Sequence, residues 1–276
     1  MMLPKIIKTI LPFLCIFFWV ANTHANSQKE LAFGVVPQQA ANKLARNWGP
    51  VFAHLSAQTG LKIKFATAPN IPEFERRLAA GEYDFAYMNP YHYTVFGDKP
   101  GYIALAKQTN KAIMGILVAR KDADLKQLGD LSGALAFPAP AAFAASILTR
   151  SALHAAGVDF SPQYVKSHDS VYRSVSKGFF PAGGGVMRTF NNTDPEIRNQ
   201  LQIFWRSPKY TPHAIAAHPR LSQTQIEKVQ IALLKMAATA QGKELLKAIN
   251  FKGFEAANYS DWDDVRALRI DLLKDL

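Results

Sequence analysis

The fold is decided early in the chain, by residues 31–66, which read LAFGVVPQQAANKLARNWGPVFAHLSAQTGLKIKFA. The apolar run 31–36, ended by Pro37, predicts a buried strand. Apolar side chains recur at helical spacing through 41–59, and Gly60 follows them, so this stretch predicts a helix. Apolar and polar residues alternate in 62–65, which predicts a second strand. Such a strand–helix–strand order favours a parallel pair with a right-handed crossover.

The same alternation continues along the rest of the chain. It predicts a helix from Asn70 to Gly81, a strand at 84–88, and strands near 102–107 and 112–119. After a polar connector at 124–133, a second α/β series begins, with strands at 135–137, 164–167, 201–206 and 213–217, and helices at 141–156, at 169–177, from Asp194 and around 226–236. We therefore predict an α/β fold of two lobes with a ligand cleft between them.

The first 25 residues have the layout of a secretory signal peptide. Lys5 and Lys8 precede an uncharged apolar run at 10–20, and Thr23-His24-Ala25 offers small residues at a cleavage site. We predict cleavage after residue 25, with an uncleaved anchor as the alternative. The single cysteine lies inside this segment, so the mature chain would lack disulfides and thiolate metal sites. Export without disulfides predicts a periplasmic protein.

The formal net charge of +11 fits nucleic acid, an acidic membrane surface or an anionic ligand as partner, or simply a solvated basic surface. No run of lysine and arginine is longer than two residues. Because export argues against nucleic acid, we predict no nucleic-acid partner.

The motifs of catalysis and of cofactor binding are missing from the sequence. It contains no P-loop, no Gly-x-Gly-x-x-Gly and no His-Glu-x-x-His. A triad drawn from Ser167, His168 and Asp169 is implausible because sequence neighbours rarely reach triad geometry. The run 183–185, three glycines, fits either a close approach to a ligand or a tight turn. We predict no enzyme, no cofactor and no metal.

Ligands of α/β sheets bind at the carboxyl ends of strands, and this rule selects candidate site residues. Gln38 follows the first strand. The run 87–93, YMNPYHY, follows the third strand and supplies Tyr87, Asn89, Tyr91 and His92. An aromatic core cluster is the alternative for that run. Ser167 and His168 begin a helix, where a capping segment with a surface histidine is the alternative.

Several landmarks occur in an order and at a spacing that together resemble one family. They are Gly34-Val35-Val36-Pro37, AGEYDFA at 80–86, Asp130-Leu131-Ser132-Gly133 and Ser167-His168-Asp169-Ser170. The chain resembles the PhnD-like periplasmic binding proteins of phosphate, phosphite and phosphonate ABC transporters over nearly its whole mature length. The resemblance implies a type II periplasmic binding protein fold with two lobes joined by two hinge strands. It places lobe 1 at 26–116 plus 213–276, lobe 2 at 117–212, and the hinges at Leu117–Arg120 and Ser207–His213.

One stretch departs from the family. Members that hold phosphonates usually carry a Ser-Thr-Ser run after the first strand of the second lobe, where this chain has Ala139-Pro140-Ala141-Ala142-Phe143-Ala144. The resemblance leaves the backbone amides of Ala142, Phe143 and Ala144 to hold an oxyanion. Arg188, His168, Thr189 or Thr211 would have to replace the hydroxyls; otherwise simple phosphonates bind poorly and the ligand has changed.

The function implied is that of a periplasmic solute-binding protein for a small anion of the phosphonate, phosphite or phosphate type. It would act as a monomer and deliver the solute to an ABC permease in the inner membrane. The alternative is a periplasmic input protein that reports ligand occupancy to a membrane sensor kinase.

Overall fold

The computed structural model describes residue 1, residues 29–273 and residues 275–276. Apart from Met1, the predicted signal segment 1–25 lies outside the described residues. The strands are β1 (Leu31–Val35), β2 (Ile63–Ala66), β3 (Phe85–Met88), β4 (Ile103–Gln108), β5 (Gly115–Arg120), β6 (Gly133–Phe137), β7 (Phe160–Tyr164), β8 (Ala182–Val186), β9 (Leu201–Arg206), β10 (Ala214–Ala217) and β11 (Phe254–Ala256).

The helices alternate with these strands over most of the chain. They are α1 (Ala41–Thr59), α2 (Ile71–Ala79), α3 (Pro90–Phe96), a π-helix (Phe143–Leu148) continued by α4 (Thr149–Ala155), α5 (His168–Ser176), α6 (Met187–Asn191), α7 (Pro195–Arg198), α8 (Gln223–Lys235), α9 (Ala240–Ala248) and α10 (Asp263–Arg266). Short 3₁₀ turns lie at Leu128–Asp130, Met236–Ala238 and Tyr259–Trp262. Within the described chain, no helix combines the length and the apolar character needed to cross a bilayer.

The strands form two mixed sheets. The first has the order β11-β4-β10-β3-β1-β2, and the second has the order β7-β6-β8-β5-β9. β1 pairs in parallel with β2 and β3, and β6 pairs in parallel with β7 and β8. β10 returns antiparallel between β3 and β4, although it follows the whole second sheet in the chain. The two-lobe α/β prediction agrees with this topology.

Helix α1 has the apolar spacing from which it was predicted. Its buried side chains include Leu44, Trp48, Phe52 and Leu55, three or four residues apart, and they pack on the first sheet. The helix ends where Gly60 takes a left-handed φ of 72°, a conformation that costs glycine little.

The chain crosses between the sheets twice, at 109–114 and at 207–213. Ile113 and Tyr210 bridge the two crossings, with N–H to O=C distances of 2.8 and 2.9 Å. The predicted second hinge coincides with the second crossing. The first is wrong in position, because 117–120 lies inside β5, which pairs with β8 and β9. The apolar run through β5 does not indicate where the chain changes sheet. The lobe limits of 26–116 plus 213–276 and 117–212 stay predictions.

Residues 183–185 lie inside strand β8, so the tight turn expected as one alternative is wrong, and the atoms that closely approach Gly184 and Gly185 belong to the protein rather than to a ligand. A Cβ atom at Gly184 would lie 1.8 Å from the carbonyl oxygen of Ala145. On the opposite face, a Cβ at Gly185 would lie 2.2 Å from the Tyr172 hydroxyl. The glycines therefore let helices approach the sheet closely from both sides.

The predicted strand at 164–167 is displaced. The strand is β7, Phe160–Tyr164, and it runs parallel to β6 as far as the pair Phe137 and Tyr164. The short linker 165–167 then leads directly into α5, which places His168 at the start of a helix.

Candidate functional site

The ends of β1 and β3 in the first sheet face the ends of β6, β7 and β8 in the second. A cavity of about 10 Å³ lies between them, and we call it the head cavity. It is lined by Val36, Gln38, Ile71, Asn89, Ile113, Ala142, Phe143, Ala144, Ala145, His168, Val186 and His213. Of the candidates from the sequence, the structure thus brings together Gln38, Asn89, Ala142, Phe143, Ala144 and His168.

The π-helix presents backbone donors to this cavity. The Ser146 and Ile147 amides both donate to the carbonyl oxygen of Ala142, at 2.7 and 3.3 Å. The Ala142 amide donates to the Ala139 carbonyl at 3.3 Å. The amides of 143–145 have no acceptor within the described part of the chain. The available donors are therefore 143–145, one residue later than the predicted 142–144, because a tight turn already uses the Ala142 amide.

Two glycines fix the position of that helix start. A Cβ at Gly115 would lie 2.2 Å from the Ala144 carbonyl oxygen, and the corresponding clash at Gly184 involves the Ala145 carbonyl. The Thr149 hydroxyl donates to the same Ala145 carbonyl at 2.7 Å. Because the carbonyls of these residues point onto the sheet, their amides point the other way, toward the cleft.

His168 is the first residue of α5 and is almost fully buried. Its backbone N–H donates to the Gln38 carbonyl at 3.0 Å, a bond between the two lobes. Its Nδ1 lies 3.0 Å from the Thr189 hydroxyl, and its Nε2 is buried with no partner in the described chain. Burial, with a smaller contribution from Arg188, lowers the pKa of His168 to about 3. The ring is therefore a neutral imidazole with one free nitrogen at the head cavity.

The tautomer of His168 depends on the Thr189 hydroxyl. That oxygen also lies 3.1 Å from the Val186 carbonyl and 2.8 Å from the Tyr172 hydroxyl. If Thr189 donates to Nδ1, Nε2 carries the proton and donates into the cavity; if Thr189 donates to Val186, Nε2 is an acceptor.

Gln38 connects both lobes through its side chain. Its Oε1 accepts a hydrogen bond from Arg188, and its Nε2 donates to His213 Nε2 at 3.1 Å. Burial, followed by the charge of Arg188, holds the pKa of His213 well below its ordinary value, so His213 accepts this bond as a neutral ring. Tyr87 stacks on His213 with a centroid distance of 4.9 Å, and Arg188 lies 5.7 Å from the centre of the Tyr87 ring.

Tyr87 and Arg188 belong to a second cavity of about 60 Å³, which we call the side cavity. Its walls also include the exposed Lys111, the half-buried Met187, and Pro212. Ile113, Val186 and His213 line both cavities, so the two are neighbours. The candidates Tyr87 and Arg188 therefore lie beside the head cavity rather than in its wall.

Three candidates lie elsewhere. The Tyr91 hydroxyl accepts a hydrogen bond from the Leu273 amide at 2.9 Å, and His92 Nε2 lies 2.8 Å from Glu75 Oε1. The Ser167 hydroxyl accepts from the Ser170 amide at 3.1 Å and caps α5. The core-cluster alternative describes Tyr91 and His92, and the capping alternative describes Ser167, but its surface histidine is wrong because His168 is buried. Asn89 directly follows β3 as the N-cap of α3 and lines the head cavity, whereas the helical twist of α3 turns Tyr91 and His92 into the lobe.

Thr211 is also removed from the cleft. Its amide donates to Asp264 and its hydroxyl to the Asp261 carbonyl, at 2.7 and 2.8 Å. The remaining replacements suggested for the missing hydroxyls do cluster, since Thr189, His168 and Arg188 are linked through the bonds above.

Six residues that line the head cavity were not selected from the sequence: Val36, Ile71, Ile113, Ala145, Val186 and His213. His213 precedes β10, which pairs antiparallel with β3 and so brings it beside Tyr87. The position of His213 follows from the return of the chain to the first sheet, which no local sequence pattern predicts.

A further set of contacts joins the lobes at the rim of the cleft. Asp169 Oδ2 accepts from the Ala40 amide at 3.1 Å, and its Oδ1 accepts from Gln39 Nε2 at 3.4 Å. Lys43 donates to the Asn192 carbonyl. Helix α1 has no capping side chain of its own, so its N-terminus is capped by a carboxylate from the other lobe.

The charges around the two cavities have one sign. Among the described residues that line them, Arg188 and Lys111 are cationic and none is a carboxylate. Within the same described ranges, no three histidine, cysteine or acidic side chains are grouped as metal ligands. The site thus offers amides, neutral imidazoles and positive charge, a set of groups that suits an anion.

Comparison with known proteins identifies the family of the chain. The family model described as ABC transporter, phosphonate, periplasmic substrate-binding protein matches residues 33–262. The chain belongs to this family. As a member of the phosphonate-binding family, it is a substrate-binding protein of an ABC transporter and not an enzyme, and its family is periplasmic.

Relatives of this phosphonate-binding family member carry matching names. The phosphate-import protein PhnD of Mycolicibacterium smegmatis is 22% identical over 260 residues, which cover 86% of this chain and 77% of that protein. A binding protein component of an ABC phosphonate transporter from Pseudomonas aeruginosa superposes with a TM-score of 0.81 at 19% identity, covering 88% of this chain and 86% of that one.

The structure of PhnD1 from Prochlorococcus marinus in complex with methylphosphonate has a TM-score of 0.77 at 19% identity. The match covers 87% of this chain and 97% of that one. These likenesses confirm the type II periplasmic binding protein fold predicted from the sequence.

Proposed function

We propose that the protein binds a small phosphonate-type anion in the head cavity and releases it to an ABC permease in the inner membrane. The observation that carries this is the convergence of the free amides 143–145 and the unpartnered His168 Nε2 on one cavity. In the tautomer that protonates Nε2, His168 joins the backbone amides as a neutral donor to the oxygens of the anion. Arg188, which donates to Gln38, supplies the positive charge.

Binding requires the lobes to separate. A cavity of about 10 Å³ has room for roughly one water molecule, whereas a phosphonate has several heavy atoms. The two crossings, 109–114 and 207–213, are the segments about which such opening takes place. A ligand that contacts the π-helix on one side and Gln38 on the other would then hold the lobes together.

The names of relatives support the ligand class. One relative is a phosphate-import protein, and one similar structure holds methylphosphonate. We extend this to propose export of the mature chain from about residue 26 and function as a monomer. The sensor-kinase alternative finds no particular support in the geometry.

Calorimetry tests the ligand class. The mature chain is titrated with methylphosphonate, phosphite and phosphate, and at least one of them is expected to bind with submillimolar affinity. His168→Ala should weaken that binding at least tenfold. The matched control is His154→Ala, which changes an exposed histidine of the same lobe. Absence of binding for all three anions would refute the proposal.

A cellular experiment separates transport from sensing. Deletion of the gene should abolish uptake of the bound anion if the protein serves a permease. If uptake persists and only the transcriptional response to the anion is lost, the sensor-kinase alternative is correct.

A further inference from the structure

The side cavity differs from the head cavity in its charge. Arg188 and the exposed Lys111 are its charged residues among those described, and its other walls are apolar or aromatic, with the neutral His213 and Gln108. It adjoins the head cavity through Ile113, Val186 and His213. A substituent on a head group held by the π-helix amides therefore extends toward Arg188.

The carbonyl oxygens of Gln38 and Asn89 are engaged, and Gln108 in the wall of the side cavity is an uncharged amide. Gln38 Oε1 accepts from Arg188, and Asn89 Oδ1 accepts from the His92 amide at 2.8 Å. The neighbouring carboxylates are engaged too: Glu75 contacts His92, and Asp169 accepts from Ala40 and Gln39 at the rim. An ammonium group in the side cavity would lie beside a guanidinium with no carboxylate in the described lining.

We propose that this site is selective for ligands whose only charge is negative, and that it rejects zwitterionic aminoalkylphosphonates and aminoalkylsulfonates. The proposal rests on the proposed function, since it specifies which phosphonates occupy the cleft. The specificity-determining residue is Arg188, held by Gln38 and placed over Tyr87. Like charges at such close range in a partly desolvated site are repulsive, and no opposite charge there offsets the repulsion.

The choice of probes isolates the ammonium group. 2-Aminoethylphosphonate and propylphosphonate have the same shape and differ in an ammonium against a methyl group. Taurine and propane-1-sulfonate form the same pair with a sulfonate head. Calorimetry of the mature chain should show propylphosphonate binding at least tenfold more tightly than 2-aminoethylphosphonate, a difference of about 1.4 kcal/mol.

Variants identify the residue responsible. Arg188→Gln should reduce the preference to less than threefold, because it removes the charge and keeps a donor for Gln38. Arg188→Lys should retain the preference. Arg173→Gln removes an exposed charge from the same lobe and should leave the preference unchanged. Thermal denaturation of each variant shows whether it is folded.

The outcomes separate this inference from the proposed function. If phosphonates bind and the aminoalkyl member binds equally or more tightly, the inference is wrong and the proposed function stands. If only the sulfonates bind, with taurine at least tenfold weaker, the inference stands and the proposed phosphonate ligand is wrong. If none of the four probes binds, the inference is wrong, and the titrations with methylphosphonate, phosphite and phosphate decide the proposed function separately.

Discussion

Replacing Asp169 by asparagine tests how the closed cleft is held together. In the structure, its carboxylate accepts from the Ala40 amide at 3.1 Å and from Gln39 Nε2 at 3.4 Å, across the gap between the lobes. Opening breaks both contacts and leaves the N-terminus of α1 without a capping side chain. Asparagine keeps the shape and an acceptor oxygen but removes the charge.

The size of the effect follows from the helix. A negative charge at a helix N-terminus contributes about 0.3–1 kcal/mol at exposed positions and up to about 2 kcal/mol where partly buried. Asp169 is half-buried, so we expect the closed state to lose about 1 kcal/mol. In the proposed mechanism the ligand enters the open form and the lobes then close on it, so a liganded closed state that is about 1 kcal/mol less stable weakens the affinity for methylphosphonate roughly fivefold.

Two measurements check this together. Fluorescent labels on the two lobes should report a larger mean distance without ligand in Asp169→Asn than in the wild type, and calorimetry should report the weaker affinity. Asp194→Asn is the matched control, because Asp194 lies near Asp169 at the same rim of the cleft and makes no side-chain cap. Equal inter-lobe distances and affinities in both variants would refute the idea that α1 is capped from the other lobe.

Three further predictions concern stability and processing. Because burial keeps His168 neutral in the folded chain, with a pKa of about 3 against an ordinary value of about 6.5, the unfolded state binds the proton and the free energy of unfolding falls as the pH drops below 6.5. In denaturant titrations, His168→Gln should remove about 1.5 kcal/mol of that fall between pH 6.5 and 5; an unchanged pH dependence would contradict the buried neutral ring. Gly184→Ala should destabilise the protein by about 3 kcal/mol or more, since its Cβ would meet the Ala145 carbonyl at 1.8 Å, whereas Gly49→Ala in α1, with open space around it, should be neutral or stabilising. Mass spectrometry of the periplasmic protein should find its N-terminus near Asn26, and retention of Met1 would rule out cleavage.

The helices and strands of this fold were predicted better from the sequence than the contacts between them. Helix α1 and strand β9 have the predicted limits, because apolar periodicity and Gly60 mark the helix locally and an apolar run followed by Ser207-Pro208 marks the strand. The first crossing between the sheets escaped detection, since the apolar pattern simply continues through β5. Candidates at strand ends, such as Gln38 and Asn89, line the head cavity, whereas Tyr91 does not. The direction of a side chain within a short helix depends on tertiary packing, which a local sequence pattern does not predict.

Residues 142–144 are alanine and phenylalanine where the family usually has hydroxyl residues, and two glycines elsewhere in the sequence determine how this loop is oriented. Gly115 and Gly184 allow the carbonyls of Ala144 and Ala145 to lie directly on the second sheet. That contact orients the amides of 143–145 toward the cleft without help from any side chain in the loop.

Backbone amides carry no charge, so they recognise the shape of an oxyanion more than its valence. In the proposed site the positive charge comes from Arg188, which follows strand β8 and is held by Gln38 of the opposite lobe. In the proposed site the amides of 143–145 would recognise the shape of the anion, and Arg188 would recognise its charge. Arg188 is held by Gln38 only when the two lobes are in contact. An anion that fits the amides but leaves the lobes apart would therefore bind weakly, which makes closure part of the recognition of the ligand.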